Sequence, residues 1–141
     1  MNAHDCSDLT PQQRTGLVVW HLAHGEGLDL AAVCALTGLT RRSACALIAH
    51  LKQCLAVRQD CHDVFYLAEF TPVAAPLCAQ NRAAALVLAL SRGAQLRGVD
   101  VARLLFIGTS AAYRLLSLLS LILPIAPDER RRWRACAFCE E

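Results

Sequence analysis

The chain has 141 residues, 55% of them apolar and 18% charged, with a net charge of +2. That balance excludes a disordered chain, and 7 Gly and 5 Pro without a period exclude a collagen-like fibre. The length suits one ordinary domain or two very small ones, and Ala plus Leu, about a third of the residues, favour helix over sheet.

Thr10-Pro11 opens the first helix, with Thr as cap and Pro at the first helical position. Leu17, Val18, Trp20 and Leu22 give it an apolar face, and Gly25 and Gly27 end it. A second helix runs from about Asp29 through Val33 to Leu36. Thr37-Gly38-Leu39-Thr40 is a tight turn. The third helix takes Thr40 as cap and extends to about Gln53. Its apolar positions Ala44, Leu47, Ile48 and Leu51 follow the helical period. Leu55–Arg58 and Val64–Leu67 read as two short strands around the polar tip Gln59–Asp63. Thr71–Pro76, with Pro72 and Pro76, reads as a linker. Beyond it, helices are expected over Ala79–Arg92, Gly98–Leu105 and Thr109–Leu121.

The second set of elements repeats the first. A shift of 68 positions brings Arg14 to Arg82, Val19 to Val87, Leu22 to Leu90 and Gly25 to Gly93. It brings Leu28 to Leu96, Val33 to Val101, Leu47 to Leu115, Leu51 to Leu119 and Asp60 to Asp128. No gap is needed. Phe65 falls on Trp133, which makes Trp133 a candidate core anchor of the second hairpin. Repetition at a fixed spacing points to two copies of one small unit.

Three helices, a Gly-containing turn before the third, and a hairpin are the plan of a winged helix-turn-helix. Asp29–Leu51, DLAAVCALTGLTRRSACALIAHL, resembles the helix-turn-helix of bacterial winged-helix regulators of the MarR, IclR and DeoR kinds. The resemblance covers about Pro11–Ala68. Val101–Leu119, VARLLFIGTSAAYRLLSLL, resembles the same motif but departs at the turn. Phe106 stands where Gly is usual, and Gly108 stands at the cap, leaving Thr109 or Ser110 to cap instead. The expected fold is mainly α with short β-hairpin wings, as two tandem winged helix-turn-helix domains. Residues 1–70 form the DNA-reading domain and 71–78 the linker. Residues 79–141 form a degenerate second domain with a C-terminal CxxC tail.

In such a fold the start of the third helix faces the major groove. Thr40, Arg41, Arg42 and Ser43 occupy that start, with His50 further along. Arg41 or Arg42 can pair bidentately with guanine, and Thr40 and Ser43 suit phosphate or base edges. The resemblance implies that Arg58 and His62, on the wing, face the minor groove or backbone. Arg130, Arg131 and Arg132 on the second wing either clamp the backbone or are a solvated charge run. The third helix of the second copy is apolar nearly all round, so more than one side of it should be buried. It packs on the first copy, or forms a homodimer or partner contact; the two-fold symmetry of operator-binding regulators favours the dimer. The expected partners are double-stranded DNA and a second copy of the chain.

Enzyme signatures are missing: no GxxxxGKS/T loop, no GxSxG, no HExxH and no Rossmann fingerprint. The chain reads as a regulator, not an enzyme. Cys136 and Cys139 form a CxxC, and either Cys61-His62 or His4 with Cys6 could complete a zinc site with them. Without a second CxxC or an HxxxH, a zinc site, a redox pair and an inert tail all stay open, and no cofactor is required. Of the eight cysteines, Cys34, Cys45 and Cys54 sit inside apolar helical patterns, and with His4, Asp5, Cys6 and Asp8 in place of a leader this points to a reducing cytoplasm. The apolar run Leu104–Ala126 is interrupted by Arg114 and Pro124, which argues against a membrane span.

Overall fold

A computed structural model describes residues 9–68 and 78–136. Within them lie α1 (Pro11–Ala23), α2 (Leu30–Thr37), α3 (Arg41–Cys54), β1 (Val57–Gln59) and β2 (Phe65–Leu67). They are followed by α4 (Ala79–Ser91), α5 (Gly98–Leu105), α6 (Thr109–Ser120), β3 (Ile125–Pro127) and β4 (Trp133–Ala135). The protein is mainly helical, with two small antiparallel hairpins. Most of the linker assigned to 71–78 lies outside the described residues.

Every element of the second half starts 68 positions after its counterpart: Pro11 and Ala79, Leu30 and Gly98, Arg41 and Thr109, Val57 and Ile125, Phe65 and Trp133. The backbone repeats in finer detail. Leu28 bridges Phe65 and Leu96 bridges Trp133, which adds one pairing to each hairpin. α3 turns from α2 by 103°, and α6 from α5 by 104°. Left-handed residues recur at Gly25 and Gly93, Gly38 and Phe106, Asp63 and Arg131.

Local chemistry fixes the helix ends. Thr10 Oγ1 accepts from Gln13 N at 3.1 Å, and Gln13 Oε1 accepts from Thr10 N at 3.0 Å, a reciprocal cap before Pro11. Asp29 caps α2 by accepting from Ala32 N at 2.8 Å. Gly38, at φ 74°, stops α2 in the left-handed region that side chains avoid. The second half departs at that turn. Phe106 takes the left-handed conformation despite its side chain. The expected cap at Thr109 or Ser110 is absent: Gly108 is the cap residue and supplies no side-chain hydrogen bond. The helix nevertheless starts at Thr109, the position equivalent to Arg41.

The two halves share one hydrophobic core. Residues 83–88 of α4 are all buried, so this helix is enclosed on every side, as its unbroken apolar sequence requires. It packs along α1. Gly16 makes the close approach possible. A Cβ there would sit 2.8 Å from Leu119 Cδ2 and 3.2 Å from Val87 Cγ2. Trp133 is half-buried against this core, whereas its counterpart Phe65 is buried fully.

The halves also exchange polar contacts in a paired way. Gln13 Nε2 donates to the Leu118 carbonyl at 2.9 Å, joining α1 to α6. His50 Nε2 lies 2.7 Å from Asn81 Oδ1, joining α3 to α4. Asn81 is the counterpart of Gln13, and Leu118 that of His50, so the two contacts are equivalent under the repeat. The apolar side of α6 that the sequence assigned to a dimer thus packs largely within the chain: Leu115, Leu116 and Leu119 are buried. Among the described residues no single helix is long and apolar enough to cross a membrane. The run Leu104–Ala126 is divided among the end of α5, a turn, α6 and β3.

Candidate nucleic-acid interface

The start of α3 is built by the turn before it. Thr37 is buried, and its hydroxyl donates to the Val33 carbonyl at 2.7 Å and accepts from Leu39 N at 3.3 Å. Gly38 then reverses the chain. Thr40 caps α3 by accepting from Ser43 N at 3.2 Å. The result presents Thr40, Arg41, Arg42 and Ser43 on the surface, all exposed, at the positive end of the helix dipole.

The exposed face of α3 continues through Cys45, Ala49 and Lys52. Beside it lies an open groove of about 650 Å³, floored by Ile48 and Phe65 and walled by Arg41 and Lys52 on α3 and Gln59, His62 and Asp63 at the hairpin. Arg41 and His62, assigned to reading helix and wing by sequence, line this one groove. Arg58 is exposed on β1, paired across the hairpin with the exposed Tyr66. His62 sits in the exposed hairpin turn, where the Asp60 carboxylate accepts from His62 N at 2.8 Å and Val64 N at 3.0 Å. Those amides, Val64 first, hold the Asp60 carboxyl below its ordinary range.

Two basic residues were missed by sequence reasoning. Lys52 lies 11 positions after Arg41, three helical turns, and so on the same face. Its Nζ is 3.4 Å from Gln59 Oε1 and 5.3 Å from the centre of the Phe65 ring, so α3 holds the hairpin by its amine. That spacing was a usable signal. Arg14 lines a second, smaller groove on the other side of α3, with Ser43, His50 and Gln80, and its buried Nε has no partner among the described residues. Nothing local to Arg14 in the sequence signals this.

His50 is half-buried and turned to α4, where it is engaged with Asn81 and Cys54, apart from the exposed Thr40–Ser43 end of α3. Its polarity serves the joint between the halves. Arg130 and Arg131 are exposed and Arg132 is half-buried on the second hairpin, and Arg130 and Arg132 line a shallow groove with Pro127, Asp128, Glu129 and Arg134. Asp128 accepts from Arg130 N at 2.8 Å and Arg132 N at 2.9 Å, repeating the Asp60 turn.

The metal expectation gains no geometry. Cys61 and His62 are at the first hairpin tip and Cys136 follows β4, with its Sγ 3.6 Å from the Arg134 carbonyl. Cys139 lies outside the described residues. Among the described residues no group of three or more His, Cys, Asp or Glu comes together in a way that could hold a metal ion. No protein-family model, no curated protein and no solved structure matches the chain.

Proposed function

We propose that each half is a winged helix-turn-helix and that the first reads double-stranded DNA through α3, as a cytoplasmic transcription regulator. The observation that carries this reading is the exposed Thr40–Ser43 end of α3. It stands at a 103° bend from α2, with a basic residue three turns along and a hairpin alongside. Helix pairs that place their second helix in the major groove cross at about 90–120° through a short turn. Arg41 and Arg42 supply guanine or phosphate contacts, Thr40 and Ser43 hydroxyl contacts, and Arg58 with His62 a wing contact. We assign the homodimer contact of this reading to Phe106, Tyr113 and Leu121, the exposed large apolar residues around α6, since the other apolar residues of that helix are buried or half-buried within the chain.

The test is fluorescence anisotropy with mixed-sequence duplex DNA over a salt series. Affinity should fall steeply with salt. The Arg41→Ala/Arg42→Ala variant should bind more weakly, with a salt slope reduced by about 1–2. No binding at low salt sinks the reading. A second reading, a protein-interaction module without DNA, is favoured by the exposure of Phe106 at 82% and Leu121 at 75%. It predicts a partner contact that salt leaves intact.

A further inference from the structure

The junction of α3 with the first turn of α4 carries chemistry that DNA reading does not use. Cys54, the last residue of α3, is buried, and its thiol donates to Asn81 Oδ1 at 2.8 Å. His50 Nε2, one helical turn back, is 3.4 Å from the same sulfur. Asn81 is the third residue of α4, and Cys78 is the residue that caps that helix. The repeat gives this cap position a counterpart. Thr10 holds the equivalent place before α1, and its Oγ1 lies against the amide of the third helical residue, Gln13. Cys78 takes that place with an exposed thiol that makes no cap hydrogen bond. One buried and one exposed cysteine therefore flank the first turn of α4, Cys54 through its bond to Asn81 and Cys78 at the cap. Burial first, and the neighbouring Cys78 second, push the Cys54 thiol up. The equivalent joint on the other side has Ile122, Leu118, Gln13 and Thr10, with no sulfur.

We propose that Cys54 and Cys78 form an intramolecular disulfide that ties the end of α3 to the start of α4, by exchange with a small disulfide such as oxidised glutathione. The Cys78 thiolate attacks one glutathione sulfur, and the first glutathione leaves and takes up the proton Cys78 has lost. Cys54 then attacks the Cys78 sulfur of the mixed disulfide. The second glutathione leaves with the Cys54 proton. Two protein thiols are oxidised and one glutathione disulfide is reduced to two thiols. The exposed thiol meets the oxidant and the buried one resolves it, which suits their different access.

The full chain carrying Cys61→Ser is incubated with oxidised glutathione, quenched with acid, unfolded, alkylated and digested with trypsin. Cleavage after Lys52 and Arg58 isolates Cys54 in one peptide, and cleavage after Arg82 leaves Cys78 in the next. The expected product is those two peptides joined, lighter than the sum by two hydrogens, with loss of alkylated Cys54. Adding Cys78→Ser, an exposed position, should abolish the joined peptide and leave Cys54 alkylated, with an unchanged circular dichroism spectrum. The proposal is overturned if Cys54 stays alkylated while Cys78 accumulates as its glutathione adduct. It is also overturned if Cys54 pairs with another cysteine in the folded chain.

Discussion

The two halves of the chain have one backbone plan and two different surfaces. Ala44, Leu47, Ile48 and Leu51 of α3 and their counterparts Ala112, Leu115, Leu116 and Leu119 of α6 are all buried. The outward positions diverge. Arg41, Arg42 and Lys52 of α3 correspond to Thr109, Ser110 and Ser120 of α6, while Cys45 and Gln53 correspond to Tyr113 and Leu121. Packing constrains the inner set in both halves, because a core at crystal-like density tolerates little change of volume. The outer set is free to specialise, toward positive charge on α3 and, beside Arg114, toward apolar surface on α6. The fold is the shared property, and any activity belongs to the difference.

The shared core is the first place to test this. If the halves are one cooperative unit, Leu88→Ala, in the fully buried part of α4, should destabilise the whole chain by about 2–5 kcal/mol. Urea unfolding followed by Trp20 and Trp133 emission, one tryptophan in each half, should give one coincident transition, shifted to lower denaturant. A variant in which only the Trp133 transition moves would mean that the halves fold separately, and that the paired contacts of Gln13 and Asn81 are incidental.

Element ends were legible because their signals are local. Thr10-Pro11, Asp29 and Thr40 are caps that act within three residues, and the apolar spacing of α3 follows its own axis. The strands came out shorter than expected, since Leu55 and Ala56 carry strand-like sequence but precede the paired residues. The joint between halves was not legible. Gln13 and the Leu118 carbonyl are 105 positions apart, and only the fold makes them neighbours. The contact of His50 with α4 was hidden for the same reason: a polar residue on an amphipathic helix looks solvated until the opposing helix is known. The unbroken apolar run of α4 signals burial without naming the partner. For the candidate interface, Thr40–Ser43 follow from the cap and turn, whereas Arg14 enters only through packing.

The turn before the third helix is the sharpest contrast in backbone chemistry. Gly38 and Phe106 adopt the same left-handed conformation, at φ 74° and φ 57°. Glycine does so freely, whereas a side chain there costs about 1–2 kcal/mol. Phe106 is 82% exposed, so little burial offsets that strain. Phe106→Gly should therefore stabilise the chain by about 0.5–1 kcal/mol, after allowing for the larger entropy of glycine in the unfolded state. Gly38→Ala should destabilise it by about 1–2 kcal/mol. Thermal melts of the two variants should shift in opposite directions by a few degrees. A loss of stability in Phe106→Gly would mean that the aromatic ring has a structural contact that its exposure hides.

The smallest expected effect lies at the hairpin tips, where the halves agree most closely. Asp60 and Asp128 each accept two backbone amides within their own turn, and those bonds lower both carboxyl pKa values. A carboxyl with a lowered folded-state pKa contributes stability above its unfolded value, near pH 4, and loses that contribution as pH falls through the lowered one. Asp60 is exposed and Asp128 lies near the surface, so the contribution is small. Asp60→Asn and Asp128→Asn should each make stability less sensitive to pH below about 4, with little change at pH 7, because asparagine can still accept the turn hydrogen bonds. In a urea midpoint series from pH 7 to pH 2.5, the double variant should show the sum of the two changes, since the tips belong to separate sheets and share no hydrogen-bonded partner in their turns. Unequal single effects would separate the halves: the second tip carries Arg130, Arg131, Arg132 and Arg134 around its carboxylate, while the first carries Cys61 and His62. If Asp128→Asn changes the acid limb more than Asp60→Asn, the arginines, and not the amides that both turns share, set the difference.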